Sequence, residues 1–339
     1  MVKVSIVVAV RNEEAHLAEC LDSLLKQTLK DIEILVIDGL SDDTTPQIIN
    51  KYINKNPKKI RSYSNKEQKV AQGRNIGYLK AKGKYIGFID GHTYADTNWI
   101  KTLYEALKAA DESVGGIGSV HFNADKKPFT TATTMVMSSF IGGGGTSYKP
   151  SKKLEQVQTA YACLYKREAL WSIKKGEEFY NPYFVKGQDA EMNIRINKAG
   201  YKILRHPQAK TYYYKRPTLK AFWRQMVNAG FWRAKIMKHH PDTIIKTWTI
   251  LTPLLFFKGI IILVLLGFVE PLLFLAGIGL FLIYLTVILL ISTTHVIKTR
   301  KAYFFISSLL FLLLHIGYGF GLLKGIFKRD IKIRDRIKH

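Results

Sequence analysis

The stretch PLLFLAGIGLFLIYLTVILLIS, residues 271 to 292, carries no charged side chain. A run of about twenty apolar residues is long enough as a helix to cross roughly 30 Å of hydrocarbon. Two other stretches are similar: Trp248 to Val269, interrupted by Pro253 and Lys258, and Tyr303 to Leu323, broken only by His315. The last third of the chain is therefore expected to attach to a membrane through three apolar segments.

Charge leaves the number of complete crossings open. Glu270 alone separates the first two segments, HVIKTRKA separates the last two, and the tail KGIFKRDIKIRDRIKH is strongly basic. Three full crossings would put that tail opposite the KTRK loop and the N-terminal part, against the tendency of Lys and Arg to stay cytoplasmic. Either the tail is an exception or a segment dips in and returns, with Pro253, Lys258 and GYGFGLLKG as places for it. The expected location is the cell membrane, multi-pass or partly re-entrant, with the N-terminal part cytoplasmic. Just ahead of these segments, TLKAFWRQMVNAGFWRAKIMKHH mixes Phe222, Trp223, Phe231 and Trp232 with Arg224, Arg233, Lys235 and Lys238. Rings at headgroup depth and cations toward phosphates make an interfacial helix; the plainer alternative is a surface helix packed on the N-terminal part.

The first ninety residues alternate strand and helix signals. VSIVVAV is β-branched and apolar at every position but Ser5, as a strand covered on both faces should be; DIEILVIDG is a second buried strand, IRSYSN a shorter third and KYIGFID a further one. EAHLAECLDSLLKQT spaces Leu17, Leu21, Leu24 and Leu25 at helical intervals; PQIINKYINKN and GRNIGYLKAKG are further helices. Thr44 or Thr45 before Pro46 reads as a hydroxyl cap followed by Pro at the first helical position. Repeated βα units imply an α/β fold with a mostly parallel sheet and helices on both faces. Ligands bind such sheets at the carboxyl ends of the strands. The polar clusters RNEE (11 to 14), DGLSDDTT (38 to 45) and DGHT (90 to 93) all fall there. Later, QTAYACLYKREALWSI is a strand entering a helix, and EEFYNPYFVKGQDAEMNIRINKAGYKI brings a loop, an acidic helix start and another strand. FIGGGGTSY (140 to 148) lacks the Lys-Ser/Thr of a phosphate loop and reads as a mobile loop near the site or as a plain linker.

Composition removes several classes. At 339 residues the chain has room for about two domains. Its net charge of +25 lies beside apolar segments and in no nucleic-acid motif, so it suits an anionic membrane surface and phosphorylated ligands, and no nucleic-acid partner is expected. Cys20 and Cys163 are the only cysteines, far apart, which argues against a disulfide scaffold or a cysteine zinc site. The N-terminal apolar run is short and lacks a cleavage pattern, so it is read as a first strand. Asp90 and His92, two apart on extended chain, could share one cation; imidazole favours Mn2+ over Mg2+. Alone, the triplet is as easily a turn.

VSIVVAVRNEE, ILVIDGLSDDTT, GRNIGYLKAKGKYIGFIDGHT and KGQDAEMNIRINKAGYKI occur in the order and at about the spacing of family 2 inverting glycosyltransferases with the GT-A fold, a Rossmann-like α/β sheet. The resemblance covers roughly residues 3 to 215. DGH, RPTLKAFWRQMVNAGFWRAK and HIGYGFGLLKG look most like the membrane-attached branch containing succinoglycan-type glucosyltransferases. It implies a nucleoside diphosphate sugar as donor, a polyprenyl-phosphate- or diphosphate-linked acceptor, and Mn2+ or Mg2+. Asp38, helped by Glu13, would contact the base; Val10, Asn12, Asp43 and Gly91 would line the donor; Arg74 would face the diphosphate. Asp90 would sit at the ribose-diphosphate-metal junction with His92 as a metal ligand. Asp189 matches the general base, which partial burial by Tyr183 and Phe184 would make more basic.

Gln188 stands where the family usually has Glu, so a helper carboxylate is missing unless Glu191 supplies it; Glu191 could equally charge the helix N-terminus. Polymerising members carry Gln-x-x-Arg-Trp, whereas Gln225 is followed by Met226, Val227, Asn228 and Ala229, with an inverted Trp232-Arg233 pair later. That departure favours transfer of one sugar, with Gln225 and Arg233 as outlying candidates for the acceptor or diphosphate. The expected domains are 1–215 catalytic, 216–246 interfacial, 247–325 membrane and 326–339 a basic tail; a homo-oligomer is left open. The competing expectation is a nucleotide-sugar-binding membrane scaffold or transporter without transfer activity.

Overall fold

In VSIVVAV alternate side chains divide between two cores. Val4, Ile6, Val8 and Val10 pack on one face of the sheet with Leu17, Leu21, Leu24 and Trp99, while Val7 packs on the other with Tyr78, Met192 and Ile196. Each such buried aliphatic chain stabilises the fold by about 1.5–3 kcal/mol, so a strand apolar at every position but Ser5 is fixed from both sides. The computed structural model describes residues 2–143, 153–246, 259, 262–263, 265–268 and 270–328. They divide into two compact units, one from 1–124 with 147–214, the other from 125–146 with 215–339.

The first unit carries the sheet. Strands β1 (Val4–Val10), β2 (Ile32–Asp38), β3 (Ile60–Ser64) and β4 (Tyr85–Asp90) run parallel in the order β3-β2-β1-β4. Helices α1 (Leu17–Leu25), α2 (Thr45–Lys55), α3 (Val70–Lys80) and α4 (Trp99–Ala109) alternate with them. The sheet continues through β8 (Tyr161–Lys166), β6 (Val114–Asn123), β9 (Lys202–Tyr213) and β5 (Thr93–Ala95), with β7 (Glu155–Val157) also on β9. β8 is antiparallel to β4 and β6, β9 is parallel to β6, and β5 and β7 are antiparallel to β9, so the sheet is mixed, with β1 to β4, β6 and β9 running in one direction. Helices α7 (Arg167–Trp171) and α8 (Gln188–Lys198) complete this unit. Register sets Val10 opposite Asp38 and Ala9 opposite Asp90, so the polar clusters after β1, β2 and β4 emerge side by side.

Helix α2 starts at the expected place by a different device. Thr44 occupies the cap position, yet its hydroxyl donates to Glu14 Oε2 (2.7 Å), and Asp43 Oδ1 accepts from Thr45 N (2.9 Å). The loops after β1 and β2 face each other, and their side chains pair across the gap as well as at the helix start.

In the second unit, α5 (Pro128–Ser138) and α6 (Phe140–Gly143) join α9 (Leu219–His239), α10 (Pro271–Thr299) and α11 (Ile306–Phe327). α9 and α11 touch backbone to backbone: a Cβ on Gly230 would lie 2.0 Å from Tyr318 O, and one on Gly321 2.1 Å from Val227 O. Only glycine permits that approach, which lets Phe222 pack against α11 in a core with Phe311 and Leu314. Lys235 Nζ donates to Lys328 O (2.6 Å) and Lys238 Nζ to Ile326 O (2.5 Å), at the C-terminal end of α11. Part of the basic-aromatic pattern read as interfacial is thus helix packing and capping, because α11 covers that face.

α10, and α11 with the turn before it (Ala302–Phe327), are long and apolar enough to cross a membrane; only 11% of the most apolar window of α10 is buried. Glu270, the lone acid between the first two segments, caps α10 by accepting from Leu272 N. His315 is buried, with Nδ1 at Tyr284 Oη (2.7 Å) and Nε2 donating to Ile141 O (2.8 Å), a satisfied core histidine. Most of Trp248 to Val269, and the tail from 329 onward, lie outside the described residues. Of FIGGGGTSY, Phe140–Gly143 is helical and belongs to the second unit, and residues 144 to 148 lie outside the described residues.

Candidate active site

Helix α3 presses on β1 because Gly77 and Gly73 have no side chains to hold it off. A Cβ on Gly77 would stand 2.2 Å from Val7 Cγ1, and one on Gly73 3.2 Å from Ala9 Cβ. That approach delivers Arg74 to the end of the sheet. Its guanidinium reaches Asp90 Oδ1 (2.8 Å) with one nitrogen and Asp189 Oδ1 (2.5 Å) with the other. The arginine side chain is 6% exposed, whereas the Asp90 and Asp189 carboxylates are 41% and 34% exposed. A buried cation thus joins two carboxylates that open to solvent.

Asp189 stands in the first turn of α8, which Gly187 enters with φ 72°, a left-handed conformation suited to glycine. The helix N-terminus favours a negative charge there. Tyr180 Oη donates to Asp189 Oδ1 (2.6 Å) and its ring lies 5.0 Å beneath the Arg74 guanidinium. The groups hydrogen-bonded to this carboxylate are therefore Arg74 and Tyr180, and Asn75 draws the chain at Phe179 and Tyr180 inward by accepting from both of their amides.

Asp90 ends β4. Burial pushes its carboxyl up, but Arg74 above all, with His92 and His121, outweighs that and holds it below the usual carboxylate range. His92 Nδ1 meets Glu13 Oε1 at 2.7 Å, and its ring is edge-on to Tyr213 at 5.0 Å. A carboxylate only accepts, so Nδ1 carries a proton; in the neutral ring this leaves the lone pair on Nε2. Gly91 lies buried against Val10 and Glu13, where a Cβ would approach Val10 Cγ1 to 2.7 Å. His121 on β6 meets Thr211 Oγ1 through Nδ1 (2.5 Å) and stacks on Tyr161 at 4.8 Å. A cleft lined by Arg74, Asp90, Thr93, His121, Tyr161, Tyr180 and Asp189 has further lining from Phe88, Ala162 and Tyr165. Ala162 holds φ 41°, strained for a non-glycine residue, with its carbonyl accepting from Ser119 Oγ.

The loops after β1 and β2 form a second polar surface. Asp38 Oδ1 accepts from Ser41 Oγ (2.6 Å), while Ser41 Oγ accepts from Asn12 N (2.9 Å). Asn12 pairs reciprocally with Asp42, its Nδ2 donating to Oδ1 (2.7 Å) and its Oδ1 accepting from Asp42 N (3.1 Å). Asp43 accepts from Glu14 N and Thr45 N; burial pushes its carboxyl up, but these donors hold it low. The structure thus brings Arg74, Asp90, Gly91, His92, Glu13 and Asp189 together and sets Asn12, Asp38 and Asp43 in the adjoining loop clasp. Glu191 is buried, and both its oxygens accept from Arg195 (2.8 and 2.9 Å), the i,i+4 pair of its own helix. Gln188 opens α8 and is buried. Gln225 and Arg233 lie on α9 of the second unit. Sequence reading missed Tyr180 and His121; the only sequence signal for His121 was a lone histidine in an apolar strand. Among the described residues no group of three or more His, Cys, Asp or Glu side chains could by itself hold a metal ion.

Residues 5–174 match the family model described as glycosyl transferase family 2. The chain belongs to glycosyl transferase family 2. It is 26% identical over 332 residues to a Methanococcus voltae glycosyltransferase, covering 96% of this chain and 97% of the relative. That protein is named dolichyl N-acetyl-alpha-D-glucosaminyl phosphate 3-beta-D-2,3-diacetamido-2,3-dideoxy-beta-D-glucuronosyltransferase. It is also 28% identical over 239 residues to the succinoglycan biosynthesis protein ExoA of Rhizobium meliloti, covering 69% of this chain and 70% of that one. A mannosyltransferase from Pyrobaculum calidifontis, solved with GDP-Man and Mn2+, superposes with a TM-score of 0.62 at 16% identity, covering 96% of this chain and 87% of that chain. The likeness is one of fold, and the sheet of this family 2 glycosyltransferase is a GT-A sheet.

Proposed function

We propose that this glycosyltransferase moves one sugar, with inversion, from a UDP- or GDP-linked donor to a polyprenyl-phosphate- or polyprenyl-diphosphate-linked acceptor at a membrane. The observation that carries the reading is the single buried guanidinium of Arg74 bridging Asp90, at the donor end of β4, to Asp189. Asp189 takes the proton of the acceptor hydroxyl, which attacks the anomeric carbon from the face opposite the leaving nucleoside diphosphate. Arg74 stabilises the negative charge that grows on that leaving group. Asn12, Asp38 and Asp43 shape the loops that receive the nucleoside, and Val10 and Gly91 pack beneath them.

The residues fit a divalent cation. Asp90 keeps Oδ2 beyond its Arg74 contact, and Glu13 fixes the His92 tautomer with its lone pair on Nε2, the arrangement second-shell carboxylates give to metal-bound imidazoles. Two protein ligands leave positions for diphosphate oxygens, and Mn2+ or Mg2+ bound there would neutralise the leaving group. Replacing His92 with Asp exchanges a nitrogen for an oxygen ligand and shifts the metal of highest activity from Mn2+ toward Mg2+. Activity measured across both metals checks this; an unchanged metal profile would take His92 out of the ligand set.

The lipid-linked acceptor is supported by the full-length likeness to a transferase named for a dolichyl phosphate-linked substrate, and by two helices long and apolar enough to cross a membrane. Membranes carrying the protein, incubated with labelled UDP- or GDP-sugars and Mn2+, should pass label into the lipid extract. Donor hydrolysis without a lipid product, for every donor tried, would contradict the acceptor.

A further inference from the structure

Asp189 receives both of its donors on one oxygen. Arg74 comes from α3 and Tyr180 from the loop before α8, and each ends on Oδ1. A carboxylate held by a single cation can still rotate, because its terminal torsion is soft and twofold. Two donors arriving from different elements define the carboxylate plane.

We propose that Tyr180 is a positioning residue for glycosyl transfer: its phenol, with Arg74, fills Oδ1 of Asp189 and so presents Oδ2 to the acceptor hydroxyl. The inference rests on the reading of Asp189 as the base. In the step, the acceptor O–H proton passes to Oδ2, its electron pair forms the bond to the anomeric carbon, and the bond to the nucleoside diphosphate breaks, carrying the charge onto that leaving group. Oδ1 takes no part in proton transfer.

Tyr180 is built to hold this position. It is fully buried, with Asn75 Nδ2 donating to its carbonyl (2.9 Å) and Asn75 Oδ1 accepting from its amide (2.9 Å). Phe88 meets its ring edge-on at 5.4 Å and Phe179 is tilted against it at 5.0 Å. The ring therefore has one orientation, and the Arg74 guanidinium lies over it. Burial pushes the phenol well above its ordinary value, against the opposing pull of Arg74, so the hydroxyl remains a donor wherever the carboxylate is ionised. A phenol donating to a carboxylate is among the stronger, charge-assisted hydrogen bonds.

The test is Tyr180→Phe, which keeps the ring, its packing and the face under Arg74 while removing only the hydroxyl. Full-length protein in membranes is assayed with the nucleotide sugar and lipid-linked acceptor pair that the labelling screen identifies, beside Asp189→Asn. Loss of a hydrogen bond to a charged group lowers kcat by about 10- to 100-fold. The donor KM stays within about twofold, because no donor contact has changed. A kcat within twofold of the parent's, or a lower kcat accompanied by a donor KM raised several-fold, overturns the role of Tyr180. Asp189→Asn separates the two failures: full turnover in that variant sinks the reading of the base itself, whereas a dead Asp189→Asn beside an unaffected Tyr180→Phe sinks only the positioning role.

Discussion

Asp189→Asn lowers transfer by about a thousandfold and leaves donor affinity within a few-fold of the parent's. The amide keeps the size of the carboxylate, and its carbonyl oxygen still accepts from Arg74 and Tyr180, so the cleft keeps its shape. What it loses is basicity. Steady-state transfer and calorimetric titration of the nucleoside diphosphate, run on the same preparation, separate the two effects. Undiminished turnover would remove Asp189 from the reaction. Donor binding without transfer in the parent protein would instead mark a nucleotide-sugar-binding scaffold or transporter.

Arg74→Met has the second large effect, on both stability and activity. Methionine fills the volume between α3 and the end of the sheet, yet it leaves Asp90 and Asp189 facing each other with no cation between them. Losing one partner of a buried pair costs about 3–5 kcal/mol; both carboxylates here are partly exposed, so a loss of about 2 kcal/mol is expected. The sign of its pH dependence follows from Asp90. Its folded carboxyl is held below the usual range, so its pairing stabilises the fold above the ordinary value of about 3.9 and that stabilisation is lost as pH falls through the lowered value. The parent should therefore lose melting temperature steeply below about pH 4, and the variant should lose less, the two curves converging toward acid. Parallel curves in a thermal melting series would show that Arg74 does not set the charge of this cleft. Transfer falls along with stability, since the leaving diphosphate has lost its cation.

The parallel half of the sheet was legible because VSIVVAV and DIEILVIDG are apolar on both faces apart from Ser5 and Glu33, which hydrogen-bond to each other, a pattern that suits a strand covered on both sides. Strand-end placement of Asp38 and Asp90 followed from those same runs. Arg74 and Asp189 are 115 positions apart, and their meeting depends on Gly73, Gly77 and Asn75, whose effects are contacts rather than periods; only the family resemblance joined them in advance. Nothing of that kind pointed to Tyr180. Asp43 and Glu191 show the opposite case. Both are carboxylates in the expected blocks, but the first ties the β1 and β2 loops together and the second pairs with Arg195 one turn along its helix. The Glu191-Arg195 spacing was visible in the chain and is the commoner use of such an acid on a helix. For the basic-aromatic helix, composition could not reveal that Gly230 and Gly321 would bring α11 onto the face that Phe222 occupies.

The central claim is a single displacement in which Asp189 activates the acceptor and no glycosyl-enzyme forms. The anomeric configuration of the lipid-linked product, read by NMR from the coupling at the new bond, tests it most directly. An α-linked nucleotide sugar should yield a β-linked product; an α-linked product would require two displacements or a front-face path and would contradict the account.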